Sequence, residues 1–119
     1  MIKSLTKAEE QVMMVLWKMG SALLMELVDK MPAPTPHKNT VATILKILTE
    51  KEFVSIELVG RIHRYHPAVS KDAYSKATLT GVAKGYFQGS FKNVVSFLVD
   101  EEKITVADLE MLLKQLKKK

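Results

Sequence analysis

The sequence predicts a mainly α-helical protein that carries one small β-hairpin. Apolar residues recur with the helical period in three early segments, most clearly in 40–51. Two partly alternating stretches follow, 53–59 and 62–66, and Gly60-Arg61 between them marks the turn of a hairpin. Three helices and a hairpin within about 65 residues favour a winged helix-turn-helix domain, and the rest of the chain reads as additional helix.

Length and composition limit the number of domains and the kinds of chemistry that the chain can support. A chain of 119 residues supports one domain, or one small domain with an oligomerisation appendage, and 47% apolar residues suffice for a packed core. We expect a winged-helix domain over 1–69 and a helical dimerisation region over 70–119. The absence of cysteine excludes disulfides, thiolate catalysis and cysteine-ligated metals.

Hydropathy and charge say less about partners. No apolar run approaches the roughly 18 residues of a membrane span, and no signal-like stretch follows the N-terminal residues, so we expect a cytoplasmic protein. The net charge of +5 divides into +2 over residues 1–70 (nine basic, seven acidic) and +3 over 71–119 (nine basic, six acidic). This balance permits nucleic-acid binding but does not argue for it.

The first two helices have recognisable ends. Thr6 and Glu9 form the pattern of a capping box, and Gly20 is the expected stop of the first helix. Ser21 caps or precedes a shorter second helix that extends to about Met31. Three alternating prolines follow in 32–36 and predict a stiff connector, which either fixes the start of the third helix or is an ordinary surface loop.

The third helix has two distinct faces. Its apolar stripe is predicted to be buried and consists of Val41, Ile44, Leu45 and Leu48. Short polar side chains and one cation point the other way, which suits insertion into a DNA groove. The candidate DNA-binding residues on this helix and on the hairpin are Lys38, Asn39, Thr40, Ala42, Thr43, Lys46, Arg61 and Arg64.

Each candidate has a specific chemical reason and a simpler alternative. Asn39 can hydrogen-bond an adenine edge, and Thr40 can contact a phosphate or a thymine methyl, but either residue can merely cap the helix. Lys46 can simply be solvated. Arg61 at the hairpin tip suits a phosphate or the minor groove. Arg64 is a weaker candidate, because the alternation of side chains along a strand places His63 and Arg64 on opposite faces.

The C-terminal part predicts helices that need a partner. Small residues recur at every fourth position from Ala73 to Gly89, and two amphipathic helices open at Ser90 and Thr105. Glycine costs roughly 1 kcal/mol relative to alanine in a helix, so close packing against another helix is needed. A second copy of the chain is the most economical partner. The predicted dimerisation residues are Tyr74, Ala77, Gly81, Phe91, Val94, Val95, Leu98, Leu109, Leu112, Leu113 and Leu116.

Enzyme and metal chemistry find little support in the sequence. There is no glycine-rich phosphate loop, nucleophile elbow or metalloprotease His-Glu pattern, so we expect neither an enzyme nor a bound cofactor. The three histidines lack acidic or cysteine neighbours at ligand spacing, and no metal site is predicted. His37 is expected near the start of the third helix.

Several short motifs follow one another in a specific order and spacing. They are Leu5-Thr6-Lys7-Ala8-Glu9, Val12-Met13 and Leu16-Trp17 in the first helix, Asn39-Thr40-Val41 with Thr43 and Leu48 in the third, Gly60-Arg61 with Tyr65 and Pro67 in the hairpin, and Gly89-Ser90-Phe91 in the C-terminal part. Through these motifs the chain resembles, over nearly its whole length, the penicillinase and methicillin-resistance repressor family, the BlaI/MecI type of winged-helix regulators. The resemblance implies a dimeric repressor that binds an inverted-repeat operator in double-stranded DNA, in an antibiotic-response system, and that is released by a membrane-bound sensor protease. The alternative is a winged-helix adaptor that binds proteins and never meets DNA.

Three departures from the family pattern bear on this expectation. The family usually has glycine after the third helix, where this chain has Glu52, so we expect the helix to end differently here. The bond that matches the family's Asn-Phe cleavage site is Phe97-Leu98 and lacks the asparagine, which puts that route of release in doubt. Without cysteines, the copper-sensing chemistry of the family's CopY branch is excluded. Operator sequence, regulated genes and inducing signal stay open.

Overall fold

The computed structural model describes residues 2–118, which form six helices and three short strands. The predicted class, mainly α-helical with a small β-hairpin and a winged helix-turn-helix, is confirmed. In chain order the elements are α1 (Lys7–Met19), β1 (Ala22–Leu23), α2 (Leu24–Lys30), α3 (Lys38–Glu50), β2 (Val54–Val59), β3 (Ile62–Pro67), α4 (Lys71–Tyr86), α5 (Phe91–Asp100) and α6 (Val106–Lys117).

The chain divides into two compact units, Met1–Ala77 and Thr78–Lys119. The division falls within α4, whereas the boundary predicted from the sequence lies at the start of that helix. The N-terminal part of α4 is tied to the first unit through Tyr74. Its ring lies 5.6 Å from that of Trp17 and 5.7 Å from that of Phe53 between centroids, and its hydroxyl donates to Glu10 Oε2 over 2.7 Å.

The first unit has one closed apolar core. The three helices face one another across it, because each presents its apolar stripe inward. The predicted stripe of α3 is confirmed, with Ile44 half-buried at its margin. The buried residues of this core are Val12, Met13, Leu16, Ala22, Leu27, Val28, Met31, Val41, Leu45, Leu48, Phe53 and Val54.

A small antiparallel sheet with strand order β1-β3-β2 completes the first unit. The predicted hairpin is confirmed, with Val59 opposite Ile62 beside the turn. The sequence did not reveal β1, which pairs Ala22 with Tyr65 and Leu23 with Arg64. A strand of two residues is too short to show any alternation, so only the tertiary pairing defines it.

The capping predictions for α1 and α2 differ in outcome. Thr6 and Glu9 form the predicted capping box, with hydrogen bonds of 3.1 and 3.2 Å, and Gly20 ends α1 with φ of 85°. At α2, the Glu26 carboxylate accepts from the backbone amide of Leu23 over 2.8 Å. Ser21 therefore precedes α2 rather than capping it.

The end of α3 corrects one expectation. The helix ends with a left-handed residue even though that residue is Glu52, whose φ is 65°. The amide of Phe53 donates to the Leu48 carbonyl over 2.9 Å, and the Glu52 amide donates to Thr49 over 3.0 Å. This is the hydrogen-bond pattern of a Schellman motif, and burial of Phe53 against the core holds Glu52 in place. The prediction of a different helix end was wrong.

The second unit consists of most of α4 together with α5 and α6. The predicted caps are confirmed, since Ser90 accepts from the Asn93 amide over 3.1 Å and Thr105 forms a capping box with Asp108. Gly89 does not continue the helical ridge of small residues, because α4 ends at Tyr86 and Gly89 has φ of 79°. Among the described residues of this unit, only Ala83 is buried.

Candidate nucleic-acid interface

The N-terminus of α3 is capped by a histidine. His37 Nδ1 accepts a hydrogen bond from the backbone amide of Asn39 over 3.1 Å. Because His37 performs this role, the side chains of Asn39 and Thr40 are not used as caps. Both are exposed, and within residues 2–118 neither side chain makes a hydrogen bond. This arrangement leaves an amide and a hydroxyl exposed in the first turn of the helix.

The outer face of α3 continues this polar surface. Lys38, Thr43 and Lys46 are exposed and Ala42 is half-buried. The Thr43 hydroxyl donates to the Asn39 carbonyl over 2.9 Å, which fixes its rotamer and leaves its lone pairs available as acceptors. In the part of the chain that the structure describes, neither lysine has an ion-pair partner. The α3 face therefore combines hydrogen-bonding groups with two uncompensated cations.

The hairpin places its two arginines in different environments. Gly60 has φ of 68° at the turn, which glycine adopts without strain, and Arg61 beside it is exposed. Among residues 2–118, Arg61 has no ion-pair or hydrogen-bond partner. Arg64, on β3, donates from Nη1 to Ser21 Oγ over 3.2 Å and lies 3.9 Å from Glu26 Oε1. Arg61 is free to reach a partner, whereas Arg64 already ties the hairpin to the start of α2.

The hairpin tip also carries exposed apolar side chains. Leu58, Val59 and Ile62 lie next to the turn and retain between 51% and 67% of their accessible surface. They flank the Arg61 cation, so the tip is basic and apolar together. Neither the periodicity nor the composition of the segment predicted this exposure.

A partly buried ion pair fixes α3 relative to α1. Lys51 Nζ lies 2.6 Å from Glu9 Oε1 and also donates to the Ser4 carbonyl over 3.2 Å. Glu9 retains only 5% of its accessible surface. The hydrogen bond from Lys51 holds the pKa of the Glu9 carboxyl below its ordinary value despite burial, and the backbone amide of Thr6 adds to this effect. The pair thus attaches the end of α3 to the beginning of α1.

The sequence did not reveal several residues that shape this surface. Glu9 was recognised as a capping residue but not as the partner of Lys51, which is 42 positions away. Ser21 was considered for its cap and not for its contact with Arg64. His37 was placed correctly, but its capping role was missed. Long-range side-chain pairs leave no local pattern, whereas a polar residue directly before a helix is a signal for a cap.

The remaining candidates for other chemistry are the histidines and the Phe97-Leu98 bond. No cluster of three or more His, Asp or Glu side chains suited to a metal ion occurs within residues 2–118. His66 Nε2 lies 2.9 Å from Glu57 Oε1, and the His63 ring packs edge-on against Tyr65. The Phe97-Leu98 bond lies inside α5, where the Phe97 carbonyl accepts from the Glu101 amide over 3.0 Å.

Comparison with known proteins identifies the family. The family model described as penicillinase repressor matches residues 5–118. The chain belongs to the penicillinase repressor family. The comparison with curated proteins finds no match. Within residues 2–118, no helix has the length and apolar character needed to cross a bilayer.

Two solved structures of BlaI agree with this assignment. The DNA-binding domain of the repressor BlaI is 28% identical, with a TM-score of 0.55, and the match covers 62% of this chain and 92% of that one. Monomeric Bacillus licheniformis BlaI in complex with the blaP half-operator has the same identity and coverage and a TM-score of 0.52. The CopR repressor is 35% identical over 55% of this chain and 96% of its own, with a TM-score of 0.47. Family and fold are those of DNA-binding transcriptional repressors, a class of proteins that are not enzymes.

Proposed function

We propose that this protein is a dimeric cytoplasmic repressor that binds an inverted-repeat operator. Each subunit inserts α3 into a major groove and sets its hairpin against the flanking backbone, so half-sites lie about one helical turn or a small multiple apart. Occupancy of the operator blocks transcription. The observation that carries the proposal is the outer face of α3, whose amide, hydroxyl and ammonium groups are exposed while its apolar stripe is buried.

The charges on this face and at the hairpin tip support a phosphate contact. Lys38, Lys46 and Arg61 are exposed and lack acidic partners among residues 2–118. Cations without internal partners keep their full attraction for phosphate, and their binding releases counterions from DNA. Asn39 and Thr40 supply the base-reading chemistry, Thr43 and Ala42 extend the contact along the helix, and the similar BlaI with its half-operator provides a precedent.

The second unit supports self-association. Its apolar side chains on α5 and α6 are largely exposed in the single chain, including Leu112, Leu113 and Leu116 at 50% to 67% of their accessible surface. A Cβ added at Gly81 or Gly85 meets nothing within 4 Å, so the ridge of small residues is open to another helix. A second copy that covers these faces would bury the apolar surface of both subunits. Tyr74 packs within its own subunit, and we leave it out of the proposed dimer face.

Operator binding is tested first by fluorescence anisotropy on a duplex selected from a random pool. Asn39→Ala should weaken binding to the selected duplex by about 2 kcal/mol and relax its sequence preference, because a base contact is lost. Lys46→Gln should weaken binding to all duplexes alike and reduce the salt slope by about one. Lys103→Gln removes an exposed lysine of the α5–α6 turn and serves as the charge-matched control.

The dimer is tested by analytical ultracentrifugation. Leu113→Asp should convert the dimer to a monomer. Circular dichroism should show that the first unit keeps its fold. A wild-type chain that sediments as a monomer at micromolar concentration would remove the dimer from the proposal.

A second function, protein-interaction adaptor, is favoured by two observations. Residues 1–70 carry a charge of only +2, nine basic against seven acidic, and the hairpin tip exposes Leu58, Val59 and Ile62. Failure to shift any duplex at both low and high salt would support the adaptor over the repressor. A sensor protease encoded beside this protein would favour an antibiotic-response role with release by cleavage.

A further inference from the structure

A groove in the first unit lies apart from the α3 face. Its volume is about 1100 Å³, and none of its lining residues belongs to α3. Part of its lining is the side of α1 that carries Met14, Val15, Trp17 and Met19, and another part comes from the end of β3, the start of α4 and the segment that joins them. Apolar clefts of this general size are typical of small-molecule sites in proteins.

The charged residues that line this groove are all cationic. Lys18 of α1, Lys30 at the end of α2 and Lys71 at the start of α4 all line it, and no lining residue is acidic. None of the three ammonium groups forms an ion pair with any residue in the range 2–118. Asp29 and Asp72 are sequence neighbours of two of the lysines, but neither lines the groove. Three elements thus bring unneutralised positive charge to one apolar cleft.

Hydrogen bonds fix the wall around the only tryptophan of the chain. Trp17 Nε1 donates to the Val69 carbonyl over 2.8 Å, and the amide of Ala68 donates to the Phe53 carbonyl over 2.7 Å. The Trp17 ring also packs on Tyr74. A cleft whose wall is already ordered loses little conformational entropy when it binds a ligand. The methionines that line the groove beside this fixed ring can adjust to the shape of a bound molecule.

We propose that this groove binds a small amphipathic carboxylate. The aromatic or aliphatic body of the ligand lies along the Trp17 and methionine wall, and its carboxylate lies among the ammonium groups of Lys18, Lys30 and Lys71. An inorganic anion would leave the apolar walls in water, and an uncharged hydrophobe would leave the lysines without a counterion. One molecule with both parts satisfies the whole lining.

The test uses 4-phenylbutyrate as the probe and its uncharged amide as the matched ligand control. Binding is followed by the emission of Trp17, which reports on this groove because the chain has no other tryptophan. We expect a saturable change with the acid and a much weaker one with the amide. In the variant Lys18→Gln/Lys30→Gln/Lys71→Gln, the acid should bind about tenfold more weakly, since each partly exposed ion pair contributes modestly.

The control protein is Lys3→Gln/Lys7→Gln/Lys103→Gln, which loses the same charge from exposed positions outside the groove. It should bind the probe as the wild type does. Equal binding of acid and amide, equal loss in both triple variants, or no saturable change would overturn the proposal. The proposal would also be overturned if probe binding were lost at protein concentrations high enough to form the dimer, because a second copy of the chain would then occupy the groove. Because the readout needs no DNA, failure of operator binding would not affect this result.

Discussion

The two compact units of the chain treat their apolar side chains in opposite ways. The first unit encloses a continuous core, in which Leu16, Leu45 and Phe53 retain at most 1% of their accessible surface. In the second unit, α5 and α6 have regular caps and clear apolar stripes, yet among its described residues only Ala83 is buried. The caps and apolar stripes of α5 and α6 are as regular as those of α1, so for these helices the difference lies in tertiary packing.

This contrast indicates where each unit obtains its stability. Burial of apolar surface is the main favourable contribution to folding, and short helices are marginal without it. The first unit has that contribution within one chain. The second unit leaves many of its apolar side chains exposed, although some pack on one another, such as the edge-on pair of Phe87 and Phe97 at 5.6 Å. Its stability should therefore depend on protein concentration, whereas that of the first should not.

The largest expected effect comes from truncating the core. Phe53→Ala should lower the free energy of unfolding by about 4 kcal/mol, because it removes a fully buried ring and leaves a cavity beside Tyr74. The measurement is urea unfolding of dilute protein. Leu113→Ala is the matched truncation in the second unit and should change this value by less than about 0.5 kcal/mol. A similar loss in both variants would erase the contrast between the units.

The next effect separates two copies of one local motif. Thr6 with Glu9 and Thr105 with Asp108 are both capping boxes, but only Glu9 is buried and paired, with Lys51. Glu9→Gln should cost about 2 kcal/mol, since the Lys51 ammonium loses a charged partner in a partly buried site. Asp108→Asn should leave the unfolding of the first unit unchanged, because Asp108 is exposed and belongs to the other unit.

The same pair predicts a pH dependence. Its hydrogen bond from Lys51 lowers the pKa of folded Glu9 below the ordinary value of 4.5. The unfolded chain therefore takes up the proton more readily, so the contribution is complete above about pH 4.5 and is lost as pH falls through the folded pKa. The free energies of unfolding of wild type and Glu9→Gln, measured by urea titration, should become equal as the pH falls. A constant difference at all pH values would contradict the role of the pair.

Sequence reasoning succeeded where the signal is local and failed where it is not. The helical period of α3, the capping box of α1 and the glycine at the hairpin turn each depend on neighbouring residues, and all were predicted. The strand β1, the Glu9–Lys51 pair and the contact of Arg64 with Ser21 depend on segments distant in sequence. The outer face of α3 followed from its inner stripe, because a helix with one buried side must expose the other.

A smaller effect is expected at two matching helix ends. Glu52 after α3 and Glu102 after α5 have φ of 65° and 60°. At both ends, the glutamate amide and the amide of the next residue donate to helix carbonyls in the same pattern. Glu52→Gly should stabilise the first unit by about 1 kcal/mol, since glycine adopts this conformation without strain. Glu102→Gly should leave urea unfolding of the first unit unchanged and act only on self-association. A gain of equal size from both changes would indicate that the units unfold together.

The smallest change tests how function limits the stability of the first unit. The helices of the second unit begin with hydroxyl caps at Ser90 and Thr105, whereas α3 begins with His37. His37→Asp should stabilise the fold by about 0.5 kcal/mol, because aspartate is a better cap and its charge suits the helix dipole. The same charge would repel a phosphate at the N-terminus of α3, so operator affinity should fall while stability rises. His37→Ser improves the cap without charge, and it should preserve binding if repulsion is the cause. Weaker binding by both variants would instead indicate that the imidazole itself contacts DNA.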